Sequence, residues 1–67
     1  MNKIQEYVAV EVGKEYKGGV GYRGPILEKL GFPVGPWGPA GVKIFIRQAK
    51  TVDSKKVFRI EKFIEAA

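Results

Sequence analysis

The chain has 67 residues, with twelve Lys and Arg against seven Asp and Glu, a formal net charge of +5, and neither cysteine nor histidine. These absences exclude disulfides, Cys/His zinc sites, thiol chemistry and every catalytic triad that uses imidazole as its base. One small domain spanning residues 1–67 is expected, burying roughly 60% of its unfolded surface, and its size and basic charge favour a non-catalytic binding module over an enzyme.

Residues 1–6 have neither the charged start nor the apolar run of a secretory signal, and the longest uncharged run, residues 30–42, is interrupted by Gly and Pro. The expectation is a soluble, cytoplasmic protein with no membrane contact. The missing cysteines agree with a reducing compartment.

In chain order, Tyr7-Val8-Ala9-Val10-Glu11-Val12 places valines 8, 10 and 12 on one side, the period of a half-buried strand, and Gly13-Lys14 ends it. A glycine-rich stretch follows at residues 17–24. Its G-x-G-x-x-G at Gly19, Gly21 and Gly24 lacks the strand-helix-strand unit of a dinucleotide site and the acidic residue about 20 positions on; position 44 is isoleucine. Gly21-Tyr22-Arg23-Gly24 with Leu27 and Leu30 is similar to the backbone-clamping loop of KH domains. That family also needs a helix before the loop, where this chain has residues 13–19, and a long helix near the end, so it is not adopted. What remains is a flexible turn from which Lys17, Tyr22 and Arg23 can reach a phosphate.

Residues 24–31 carry Pro25 at the start, Gly31 at the stop and Ile26, Leu27 and Leu30 at helical spacing, which predicts a helix of under two turns resting on a sheet. Residues 31–41 hold three prolines and four glycines. They predict a loop whose Phe32, Val34 and Trp37 fold back as a lid over one end of the sheet. Residues 42–49 read as the strongest strand, with Val42, Ile44 and Ile46 alternating against Lys43, Phe45 and Arg47. Residues 51–54 then read as a turn and 55–60 as a returning strand.

Pairing 46 with 58 and 44 with 60 separates the two faces of this hairpin. One face is Val42, Ile44, Ile46, Phe58 and Ile60; the other is Lys43, Phe45, Arg47, Lys55, Val57, Arg59 and Glu61. Residues 60–67 fit a strand extension or a short helix equally well. The expected fold is α+β and mainly β: a small twisted antiparallel sheet of three or four strands curling toward an SH3-like or OB-like barrel, with one short helix near 25–30.

Function is expected on the second of those faces, where four cations surround Phe45. Cations track phosphates and flat rings stack on bases, the two contacts that a nucleic-acid strand offers. Residues 42–59 concentrate Lys43, Arg47, Lys50, Lys55, Lys56 and Arg59 against Asp53 alone, so the whole net charge of +5 lies there. The expected function is non-catalytic, low-specificity binding of DNA or RNA. Lys43, Arg47, Lys55, Lys56 and Arg59 would neutralise phosphates, Phe45, Tyr22 and Trp37 would stack on or wedge bases, and Lys17 and Arg23 would extend the patch. No cofactor, metal site or catalytic residue is expected, because the carboxylates sit among lysines in the pattern of solvated faces. The alternative, from a different class, is protein docking or homodimerisation through the Pro/Trp loop and a sheet edge.

Overall fold

Alternation of Val8 and Val10 with Tyr7, Ala9 and Glu11 produces the first strand, β1 (Tyr7–Glu11), in a computed structural model that describes residues 4–66. Helices α1 (Pro25–Leu30) and α2 (Pro39–Val52) follow, and strand β2 (Phe58–Lys62) closes the element order. β1 and β2 form a two-stranded antiparallel sheet in which Tyr7 opposes Lys62 and Glu11 opposes Phe58. The strand expected from residue 7 and the short helix near 25–30 are both present.

Val8, Ala9 and Val10 are all buried, so β1 is covered on both faces. Ala9 packs into the cluster that holds Phe45 and Ala49 of α2. The glycine loop runs along the edge of β1 away from β2, where Tyr22 N–H donates to the Ala9 carbonyl at 2.9 Å and Gly21 stands against Val8. Gly21 makes that close approach possible, for its φ is +73° and a Cβ would stand 2.7 Å from the Ala9 oxygen and 2.9 Å from Val8 Cβ. Gly21→Ala is expected to cost roughly 2–3 kcal/mol, from a left-handed alanine plus displaced strand backbone. Gly13 has φ +95° with nothing within 4 Å, so Gly13→Ala is expected to cost only the conformational part, about 1–2 kcal/mol. Urea unfolding of the two variants checks the difference.

Pro25 opens α1 at its first turn, and the left-handed Gly31, with φ +71°, closes it. Gly31 N–H reaches the Glu28 carbonyl at 3.1 Å and Phe32 N–H the Leu27 carbonyl at 2.9 Å, the paired bonds of a Schellman stop. Tyr22 supplies a further tie, its hydroxyl accepting from Ile26 N–H at 3.4 Å.

The main departure from expectation is at residues 39–52, which form one 14-residue helix and contain no strand. Five residues at 42–46 satisfy a period of two, but a longer window satisfies 3.6: Val42, Phe45 and Ala49 are buried together and Ile44 is 44% exposed. Pro39 at the first helical position after Gly38 marks the start. Packing decides between the two periods. In the helix, Phe45 meets Trp37, Phe58, Phe32 and Tyr22 at ring-centroid distances of 4.9, 5.5, 5.8 and 5.9 Å, contacts that add to the gain from burial.

The expected hairpin of residues 42–60 therefore does not form. The sheet has two strands among the described residues, stays open, and neither closes into an SH3-like or OB-like barrel nor makes the domain mainly β. The turn after the helix lies at Asp53, whose carboxylate accepts from Lys55 N–H at 3.0 Å and whose carbonyl accepts from Lys56 N–H at 3.1 Å. The returning strand then pairs with β1. It ends at Lys62, and residues 63–66 are not helical; Ala67 lies outside the described residues.

Between the helices, the Pro/Gly loop does fold back. Trp37 exchanges main-chain hydrogen bonds with Tyr7 at 2.7 and 2.9 Å, and its indole N–H donates to the Pro33 carbonyl at 3.2 Å. Phe32 packs with it, whereas Val34 is exposed.

Candidate nucleic-acid interface

Helix α2 contains three cations and no acidic residue. Lys43, Arg47 and Lys50 fall at i, i+4 and i+7, which sets them on one face over about 10 Å of helix. All three are exposed. None of them is in an ion pair among the described residues. Beside them, Ile46 and Ile60 complete the lining of a shallow depression of about 320 Å³ between α2 and β2.

The other expected cations are placed differently. Lys56 Nζ lies 3.0 Å from Glu11 Oε2, and Lys14 reaches the same carboxylate at 3.4 Å. The hydrogen bond from Lys56 holds the Glu11 carboxyl below its ordinary value, outweighing burial, and Glu11 in turn raises the Lys56 ammonium. The sign follows from linkage. The Glu11 contribution to stability is present above the ordinary carboxylate value of 4.5 and is lost as pH falls through the lowered one. That of Lys56 is present below 10.5 and is lost as pH rises through the raised value. Glu11→Gln is expected to lower the urea midpoint at neutral pH, and its gap to the native chain should close as pH falls below 4.5 and through the lowered value of Glu11. A pH series of urea midpoints measures this.

Arg59 is also engaged. Its Nε donates to Glu61 Oε2 at 2.6 Å, and its terminal nitrogens donate to the carbonyls of Glu11 at 3.0 Å and Lys14 at 2.7 Å. It thus ties the loop after β1 to β2, with three of its five N–H groups committed to these bonds. Lys17 is highly exposed and stands 4.0 Å from Glu15. With Lys14 and Arg23 it lines a second depression of about 440 Å³, but Glu11 and Glu15 share that lining, so its charge is mixed. Lys55 is exposed just beyond the Asp53 turn.

The three aromatic side chains expected to stack on bases are in the core. Phe45 is 0% exposed, and Tyr22 and Trp37 are 8% each. Their faces are occupied by one another and by Phe58 and Phe32. A base cannot stack on Phe45 while α2 is folded, and the combined basic and aromatic hairpin face does not exist.

The structure therefore brings Lys43 and Arg47 together and adds Lys50, which the strand reading left off the site. Lys17, Arg23, Lys55, Lys56 and Arg59 are not in the lining of the depression that these three share. The signal for Lys50 was its i, i+7 spacing from Lys43, which acquires meaning only once residues 39–52 are a helix.

Among the described residues, no group of three or more Asp or Glu side chains is placed to hold a metal ion, and no helix is long and apolar enough to cross a membrane. Comparison with protein-family models, with curated proteins and with solved structures returned no match.

Proposed function

We propose that the chain binds nucleic acid without catalysis and with low sequence specificity, through the exposed face of α2. The alignment of Lys43, Arg47 and Lys50 on a helix that carries no carboxylate is the observation that supports this reading. Elsewhere Lys56, Arg59, Lys14 and Lys17 each have a carboxylate close by.

Duplex DNA is the form this geometry suits best. A major groove about 12 Å wide admits an α-helix, whereas the A-form groove of RNA is too narrow. With the aromatic rings buried, affinity rests on phosphate contacts, and these carry little sequence information. Anisotropy of a labelled duplex, titrated with the chain at several salt concentrations, tests the proposal. Three phosphate contacts should give a slope of log K on log salt near about −2.7. Absence of salt-dependent binding by the folded chain to DNA or RNA would overturn it.

A further inference from the structure

β2 is an edge strand whose outer side is open. The bonds from Val12 N–H to the Val57 carbonyl and from Phe63 N–H to the Glu6 carbonyl show that its odd-numbered residues turn their main chain toward β1. The main-chain groups of Phe58, Ile60 and Lys62 therefore point away from β1, and they have no main-chain partner among the described residues. The chain itself closes this window at both ends. Gly19 N–H takes the Ile64 carbonyl at 2.8 Å, and Lys56 N–H is turned back onto the Asp53 carbonyl at 3.1 Å. Residues 58–62 are left open, with Ile60 at their centre and 43% exposed.

We infer that this edge pairs with β2 of a second copy, antiparallel about a two-fold axis through Ile60. In that register Ile60 faces the partner's Ile60 and Phe58 faces the partner's Lys62 at hydrogen-bonding positions, giving about six ladder hydrogen bonds. Arg59 and the partner's Glu61 oppose each other at the intervening positions, where side chains approach most closely, and the pair recurs across the axis. Arg59 and Glu61 are already bonded within one chain at 2.6 Å, so the two copies combine four charges into one network.

The adjacent registers of the same parity set Arg59 against Arg59 or Glu61 against Glu61, and like charges directly opposite are unfavourable. Charge complementarity thus selects both the occupant and the register. On the α2 side, Ile60 meets the partner's Ile60 at the axis, while Lys43, Arg47 and Lys50 line the depression beside it together with Ile46. Pairing also completes a four-stranded sheet from two marginal pairs and removes an exposed edge.

The test uses the native chain without nucleic acid, at about 0.3 M salt so that the α2 cations of the two copies are screened. Sedimentation equilibrium is expected to pass from one copy toward two as concentration rises, and amide exchange at Phe58, Ile60 and Lys62 should slow in parallel. Ile60→Lys is expected to be monomeric with an unchanged far-UV spectrum. Arg59→Glu and Glu61→Arg are each expected to be monomeric alone but to associate when mixed, because Glu then opposes Arg at both positions. A native chain that stays monomeric at millimolar concentration overturns the inference, and so does a folded Ile60→Lys that dimerises as tightly as the native chain. Should Arg59→Glu unfold through loss of its loop contacts, amide exchange decides: protection at the three outward amides that ignores concentration overturns the inference.

Discussion

Phe45→Ala is expected to unfold the domain at 25 °C. The side chain is 0% exposed and lies at the centre of the ring cluster formed with Trp37, Phe58, Phe32 and Tyr22. Truncating a buried phenylalanine typically costs about 3–5 kcal/mol, and a domain of this size has a total stability of only about 3–5 kcal/mol. No disulfide is present to compensate. Far-UV circular dichroism and urea titration measure the effect. Ile44→Ala is the control, because Ile44 is 44% exposed, and a change of no more than about 1 kcal/mol is expected. In a strand at 42–49 the order would be inverted, with Ile44 facing the core and Phe45 facing solvent. The pair of variants therefore tests α2 itself.

Joint replacement of Lys43, Arg47 and Lys50 by alanine is expected to lower affinity for duplex DNA by roughly 500-fold at about 0.1 M salt and to abolish the salt slope. The figure follows from about eightfold per phosphate contact at that concentration, compounded over three contacts. Stability should be nearly unchanged, since the three side chains are exposed and alanine is the best helix former. Lys56→Ala supplies the opposite result. It strips Glu11 of its 3.0 Å partner, so it should lower the urea midpoint at neutral pH while leaving the salt slope of DNA binding in place. Anisotropy and urea titration of the same preparations separate the two behaviours.

Much of this organisation is legible in the sequence. Valine alternation at 8 and 10 locates β1, though the strand is buried on both faces rather than half-buried and Val12 lies beyond it, 60% exposed; the proline and glycine that bracket residues 25–30 specify α1 and its stop. The folding back of the Trp37 loop was legible too, because apolar side chains among prolines and glycines have little reason to face water. The confinement of the net charge of +5 to residues 42–59 also holds for the sequence by itself.

Tertiary structure decided the conformation of residues 42–46, and the functional surface changed with it. That short apolar run fits a strand or a helix, so local pattern leaves the choice open. A ring cluster assembled from residues 22, 32, 37, 45 and 58 resolves it by burying Phe45 and leaving Ile44 outside. The same choice lines up Lys43, Arg47 and Lys50 and removes the aromatic rings from the surface. Carboxylates supplied by the fold then neutralise cations that composition counts as available: Glu11 reaches Lys56 across 45 residues, and Glu61 holds Arg59 along one strand. The sequence determined how much positive charge the chain carries and on which segment, whereas tertiary structure decided which residues of that segment face solvent and joined Lys56 to Glu11, because burial and that pair depend on neighbours that are distant in sequence.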